Sequence, residues 1–72
     1  MAAAMLLALA AGEREQLRAV AHRASGGLAL FGFQWAAWQS RRISQTAAEG
    51  SAELLEAEIG RLSEHLQSVQ VR

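Results

Sequence analysis

The apolar positions change rhythm along the chain. From Ala48 onward they fall at Ala48, Ala52, Leu55, Ile59, Leu62, Leu66 and Val69, spaced 4, 3, 4, 3, 4 and 3. This is the a/d alternation of a helix with one narrow apolar stripe. Before it, residues 24–40 carry no charge and are rich in Ala, Leu, Phe, Trp and Gly. Earlier still, residues 1–24 start as an Ala/Leu run and become charged, with Leu17, Val20, Ala21 and Ala24 on one helical face. The pattern predicts an all-α chain of two to three helices, divided as 1–24, 25–42 and 43–72. Gly26-Gly27 predicts a bend between the first two. Thr46-Ala47-Ala48-Glu49 matches a capping box, so the last helix is expected to open near Thr46.

Residues 25–42 read as a transmembrane helix. Their uncharged core would rise about 25 Å, near the lower limit for crossing a bilayer. Trp35 and Trp38 precede Arg41 and Arg42, the order of an aromatic belt followed by positive charge at a membrane interface. Ser25, Ala29, Gly32, Ala36 and Ser40 form a stripe of small residues where a neighbouring helix could approach closely, while Leu28, Phe31, Trp35 and Trp38 form a bulky one. On this reading Gly32→Leu does more damage than Leu28→Ala. Gln34 near the centre needs a partner on another helix.

The stripe Ala52, Leu55, Ile59, Leu62, Leu66 and Val69 then reads as a partner-binding face, and Leu62→Glu should release it from that partner. A homodimer is disfavoured. The g positions hold Ser51, Glu58 and His65 and the e positions Glu49, Glu56, Ser63 and Gln70, giving no opposite-charge pairs. Larger protein subunits and the lipid bilayer are the expected partners. The first segment, 1–24, reads as a retained helix whose apolar end docks on a partner or dips into lipid; Glu13 and Glu15 argue against a mitochondrial transit peptide, and no basic stretch precedes the apolar run as in a secretory signal.

Composition narrows the classes further. The chain has 72 residues, no cysteine, no proline and no aspartate. A core this small usually needs a staple or a partner, and neither disulfide nor thiolate metal site is possible. Burial against a membrane or larger subunits is therefore expected to supply most of the stability, leaving the isolated chain poorly folded. Net charge is zero but split: residues 1–42 hold five arginines against two glutamates, residues 43–72 two against five. Arg41 and Arg42 alone are too sparse for nucleic acid. No catalytic, cofactor or metal set is apparent; His22 and His65 are far apart, and Glu56, Glu58 and Glu64 read as a solvated face.

The layout, a short uncharged span bounded by Trp35, Trp38, Arg41 and Arg42 and followed by a striped helix, resembles the small single-span accessory subunits of mitochondrial respiratory complexes and ATP synthases. A narrower similarity is to the C-terminal part of optic atrophy 3-like mitochondrial proteins, carried by Gly32, Trp38-Gln39-Ser40-Arg41 and then Leu55, Ile59, Leu62 and Leu66. These resemblances imply a structural subunit of an energy-converting complex in the mitochondrial inner membrane, without catalytic role, cofactor or metal. A soluble coiled-coil adaptor and a small thylakoid photosystem subunit are the alternatives.

Overall fold

The computed structural model describes residues 2–70, with side chains through Ser68, and holds four α-helices: α1 (Ala2–Ala10), α2 (Arg14–Leu30), α3 (Gln34–Thr46) and α4 (Ala52–Gln70). None is long and apolar enough to cross a membrane. The expectation of two to three helices with a span over 25–42 is therefore corrected. The uncharged stretch is two antiparallel half-helices meeting at a turn.

Glycine at the helix ends explains the break. Gly12 and Gly32 have φ of 76° and 84°, the left-handed region in which a Cβ crowds the following carbonyl. Each sits two residues past the last residue of a helix, in the same motif. At the first, Gly12 N–H donates to Leu9 O (3.0 Å) and Glu13 N–H to Ala8 O (2.9 Å); at the second, Gly32 N–H donates to Ala29 O (3.1 Å) and Phe33 N–H to Leu28 O (2.9 Å). These paired bonds satisfy the last carbonyls of the helix and reverse the chain. Gly26 and Gly27, where a bend was expected, lie inside the continuous α2.

The glycines can be told apart by experiment. A Cβ at Gly26, Gly27 or Gly32 meets nothing within 4 Å, so only backbone conformation matters. Gly26→Ala and Gly27→Ala should each stabilise the fold by about 0.5–1 kcal/mol, whereas Gly32→Ala should destabilise it by ~1–2 kcal/mol. Urea unfolding of the three variants checks the signs. In one unbroken helix through residue 32, all three would stabilise.

The third connection differs. Thr46 does not start a helix; it closes α3, its Oγ1 donating to Arg42 O at 3.0 Å. The cap of α4 is Ser51, whose Oγ accepts from Leu54 N–H at 3.1 Å. Arg14, at the start of α2, reaches this loop and donates to Ala47 O (2.9 Å) and Gly50 O (2.7 Å). One arginine thus ties the beginning of α2 to the end of α3.

Placed end to end, the helices would run about 87 Å; the longest dimension of the fold is 34 Å. They lie side by side in a ring, α1 against α2 and α4, and α3 against α2 and α4. Short connections make the neighbours antiparallel, and α1, at nine residues, covers only part of the length of α2 and α4. The core is Met5 and Ala8 from α1, Leu17, Ala21, Ala24 and Leu28 from α2, Ala36, Ala37 and Ile43 from α3, and Leu55, Ile59 and Leu62 from α4, with Ala47 from the loop.

Two further expectations are corrected by this core. The chain buries an interior of its own, and α1 docks on α2 and α4 of the same chain. The proposed partner stripe is the inner face of α4: Leu55, Ile59 and Leu62 are fully buried, Leu66 partly, while Ala48 and Ala52 are exposed. Val69 lies outside the residues whose side chains are described. The 4-3 spacing coincides with the buried face only from Leu55 to Leu62, and spacing alone does not say which chain covers it.

Candidate interaction surface

The small-residue stripe splits on folding. Ser25, Ala36 and Ser40 are buried, while Ala29 and Gly32 are exposed at the turn. Together with Ala21, Ala24 and Ala37, the buried three line two helices of one hairpin and let α2 and α3 approach closely, the role assigned to a neighbouring subunit. Ser25 Oγ donates to His22 O at 2.7 Å. Ser40 Oγ is buried with no partner among the described residues. A buried hydroxyl without a partner costs about 1–3 kcal/mol, so Ser40→Ala should raise stability by roughly 1 kcal/mol, seen as a higher melting temperature.

A polar cluster joins α3 to α4. Gln39 Nε2 donates to Glu58 O at 2.9 Å and to Glu58 Oε1 at 3.3 Å, and Arg42 Nε donates to the same oxygen at 3.3 Å. Gln39 and Glu58 are both buried. Glu58 was expected on a solvated face; its position beside the apolar stripe instead turns it inward, where an amide and a guanidinium satisfy it. Nothing in the sequence marked Gln39 as its partner, because the two stand nineteen residues apart on different helices. Arg42 also lies over Trp38, its guanidinium carbon 5.2 Å from the ring centre. Nearer the turn, the rings of Trp35 and His65 meet at 4.6 Å, tilted by 44°.

The α2–α3 turn carries most of the exposed large apolar surface. Leu30 and Phe31 are 81% and 76% exposed, and Phe33, Trp35 and Trp38 are exposed behind them. The sequence had placed these rings along a membrane-crossing helix; the fold gathers them at one end of the bundle. Trp35, Trp38, Arg41 and Arg42, expected at the far edge of a span, all belong to the first two and a half turns of α3. Elsewhere, Arg18 donates to Glu15 Oε2 from Nε (3.0 Å) and NH2 (2.6 Å). Those hydrogen bonds and the adjacent positive charge hold the Glu15 carboxyl below its usual range, but the pair stands in water and contributes little to stability.

Among the described residues, no three His or Glu side chains gather where a metal ion could bind. The remaining candidate is the aromatic end of the hairpin. No protein-family model matches the chain, and searches of curated proteins and of solved structures returned no match. The layout behind the resemblance to single-span subunits includes a membrane-crossing helix, which none of the four helices provides.

Proposed function

We propose that this chain is a non-catalytic accessory module, a small helical bundle that attaches to a larger assembly through the aromatic end of its α2–α3 hairpin. One observation carries the reading: Leu30, Phe31, Phe33, Trp35 and Trp38 are exposed together on a bundle that already has an interior. An apolar group of this kind at one end of a folded domain marks an attachment surface. The polar cluster supports the same view, since Gln39, Arg42 and Glu58 are spent on joining α3 to α4.

The test is a Leu30→Ser/Phe31→Ser double variant expressed in the native cell. Helix content and melting temperature of the purified variant should match those of the unaltered chain, because neither side chain is buried. The unaltered chain should migrate in a large assembly or bound fraction on native gels and gradients, and the variant at its own size. Equal distributions would overturn the proposal.

A further inference from the structure

We infer that the aromatic end inserts shallowly into the surface of an anionic lipid bilayer, an inference that rests on the attachment role proposed above. Three features favour lipid. The first is charge. Between Glu15 and Glu49 the chain holds four arginines and no acidic residue, and this interval contains nearly all of the α2–α3 hairpin. Arg23 and Leu30 are two helical turns apart on one face of α2, and Arg41 and Gln34 are likewise two turns apart on α3. Both arginines are exposed and stand about 10 Å behind the tip, where phosphates lie when an apolar face sinks some 5–10 Å into the headgroup region. Among the described residues, no carboxylate pairs with either of them.

The second feature is the backbone at the tip. The N–H groups of Phe31, Gly32, Phe33 and Gln34 donate to Gly27 O, Ala29 O, Leu28 O and Gly32 O respectively, at 3.0 to 3.3 Å for three of them and 2.9 Å for Phe33. Four consecutive donors are satisfied inside the turn, so Phe31 to Gln34 can leave water without stranding them, while the uncapped N–H groups of Trp35 and Ala36 at the start of α3 need water or headgroup oxygens. The third is the order of side chains: Leu30 and Phe31 outermost, then Trp35 and Trp38, then arginine. This is the sequence from hydrocarbon to headgroup. Charges from the neighbouring helix do not reverse the field. The Trp35–His65 contact places the C-terminal part of α4 at this end, bringing exposed Glu64 but also exposed Arg61, while Glu58 is buried against Gln39 and Arg42.

The experiment uses the purified full chain with vesicles of phosphatidylcholine alone, or of phosphatidylcholine with about one third phosphatidylserine. Binding is read by flotation and by tryptophan emission. The chain should float with the anionic vesicles, its emission shifting to the blue, and release as salt rises. Arg23→Gln and Arg41→Gln should each lower the partition coefficient about fivefold; Leu30→Ala/Phe31→Ala should lower it more than about tenfold. Leu7→Ala, an exposed position on α1, should bind as the unaltered chain does. No flotation with anionic vesicles, equal flotation with both kinds, or full binding by Arg23→Gln and Arg41→Gln would each overturn the inference. If lipid binding is absent while Leu30→Ser/Phe31→Ser still releases the chain from a protein assembly, lipid is the wrong occupant and the attachment role stands. If that variant changes neither, both fall.

Discussion

Leu62→Ala unfolds a large fraction of the isolated chain. Leu62 is fully buried in α4, in the same core as Met5, Leu17 and Ile43. Truncating a buried leucine typically costs about 2–5 kcal/mol, because contacts are lost and a cavity remains. A single core in a chain of this size supplies roughly 3–5 kcal/mol in all. The variant should therefore lose most or all of its cooperative transition in urea. Leu62→Glu should abolish the transition altogether, since a carboxylate cannot be buried there without a partner. If α4 were instead a face reserved for another subunit, Leu62→Glu would leave the isolated chain as it was and remove only the partner.

Leu28→Ala is more damaging than Gly32→Leu, the reverse of the order expected for a membrane helix. Leu28 is 6% exposed and belongs to the core near the α2–α3 turn. Its truncation should cost ~2–4 kcal/mol. Gly32 stands in the open at the turn, so a leucine there meets no neighbour at Cβ and pays only for its left-handed backbone, about 1–2 kcal/mol. Chemical denaturation of the two variants in parallel gives the ranking. A larger loss for Gly32→Leu would place residue 32 at a close helix contact.

Helix content was legible in the sequence, and the reason is local. Alanine, leucine, glutamate and arginine favour helix at every position, and the 4-3 spacing of α4 identifies its buried face regardless of what covers it. The meaning of residues 24–40 was not legible. An uncharged stretch of that length satisfies the requirements of a span and also those of a hairpin whose inner faces pack on each other. The decision lies with one glycine. Gly32 falls on a plausible small-residue stripe, and only its positive φ, with the bonds from Gly32 and Phe33 back to α2, turns the stripe into a reversal. Gly12 closes α1 in the same way, and the recurrence of glycine just after an apolar helix was the available signal. Gly26-Gly27 is the more conspicuous pair in the sequence, yet both residues sit within α2 at modest cost.

The aromatic surface was legible only along the chain, for a similar reason. Trp35, Trp38, Arg41 and Arg42 lie on one helix and in the order expected. Their neighbours in space could not be inferred from spacing, since His65 and Glu58 arrive from α4. Long-range pairs such as Trp35–His65 and Gln39–Glu58 follow from the closure of the ring of four helices, and that closure depends on how three short connections turn.

The break at Gly32 is the centre of this account, and a single distance tests it. The chain has no cysteine, so Arg23→Cys/Arg41→Cys can carry a spin label at each exposed site without interference. In the hairpin the two sites lie across adjacent packed helices, about 10–15 Å apart at the backbone. In one continuous helix, eighteen residues of rise separate them by about 27 Å. Strong dipolar broadening in the continuous-wave spectrum of the folded chain is the predicted result. A distance near 27 Å, without that broadening, would contradict the four-helix fold.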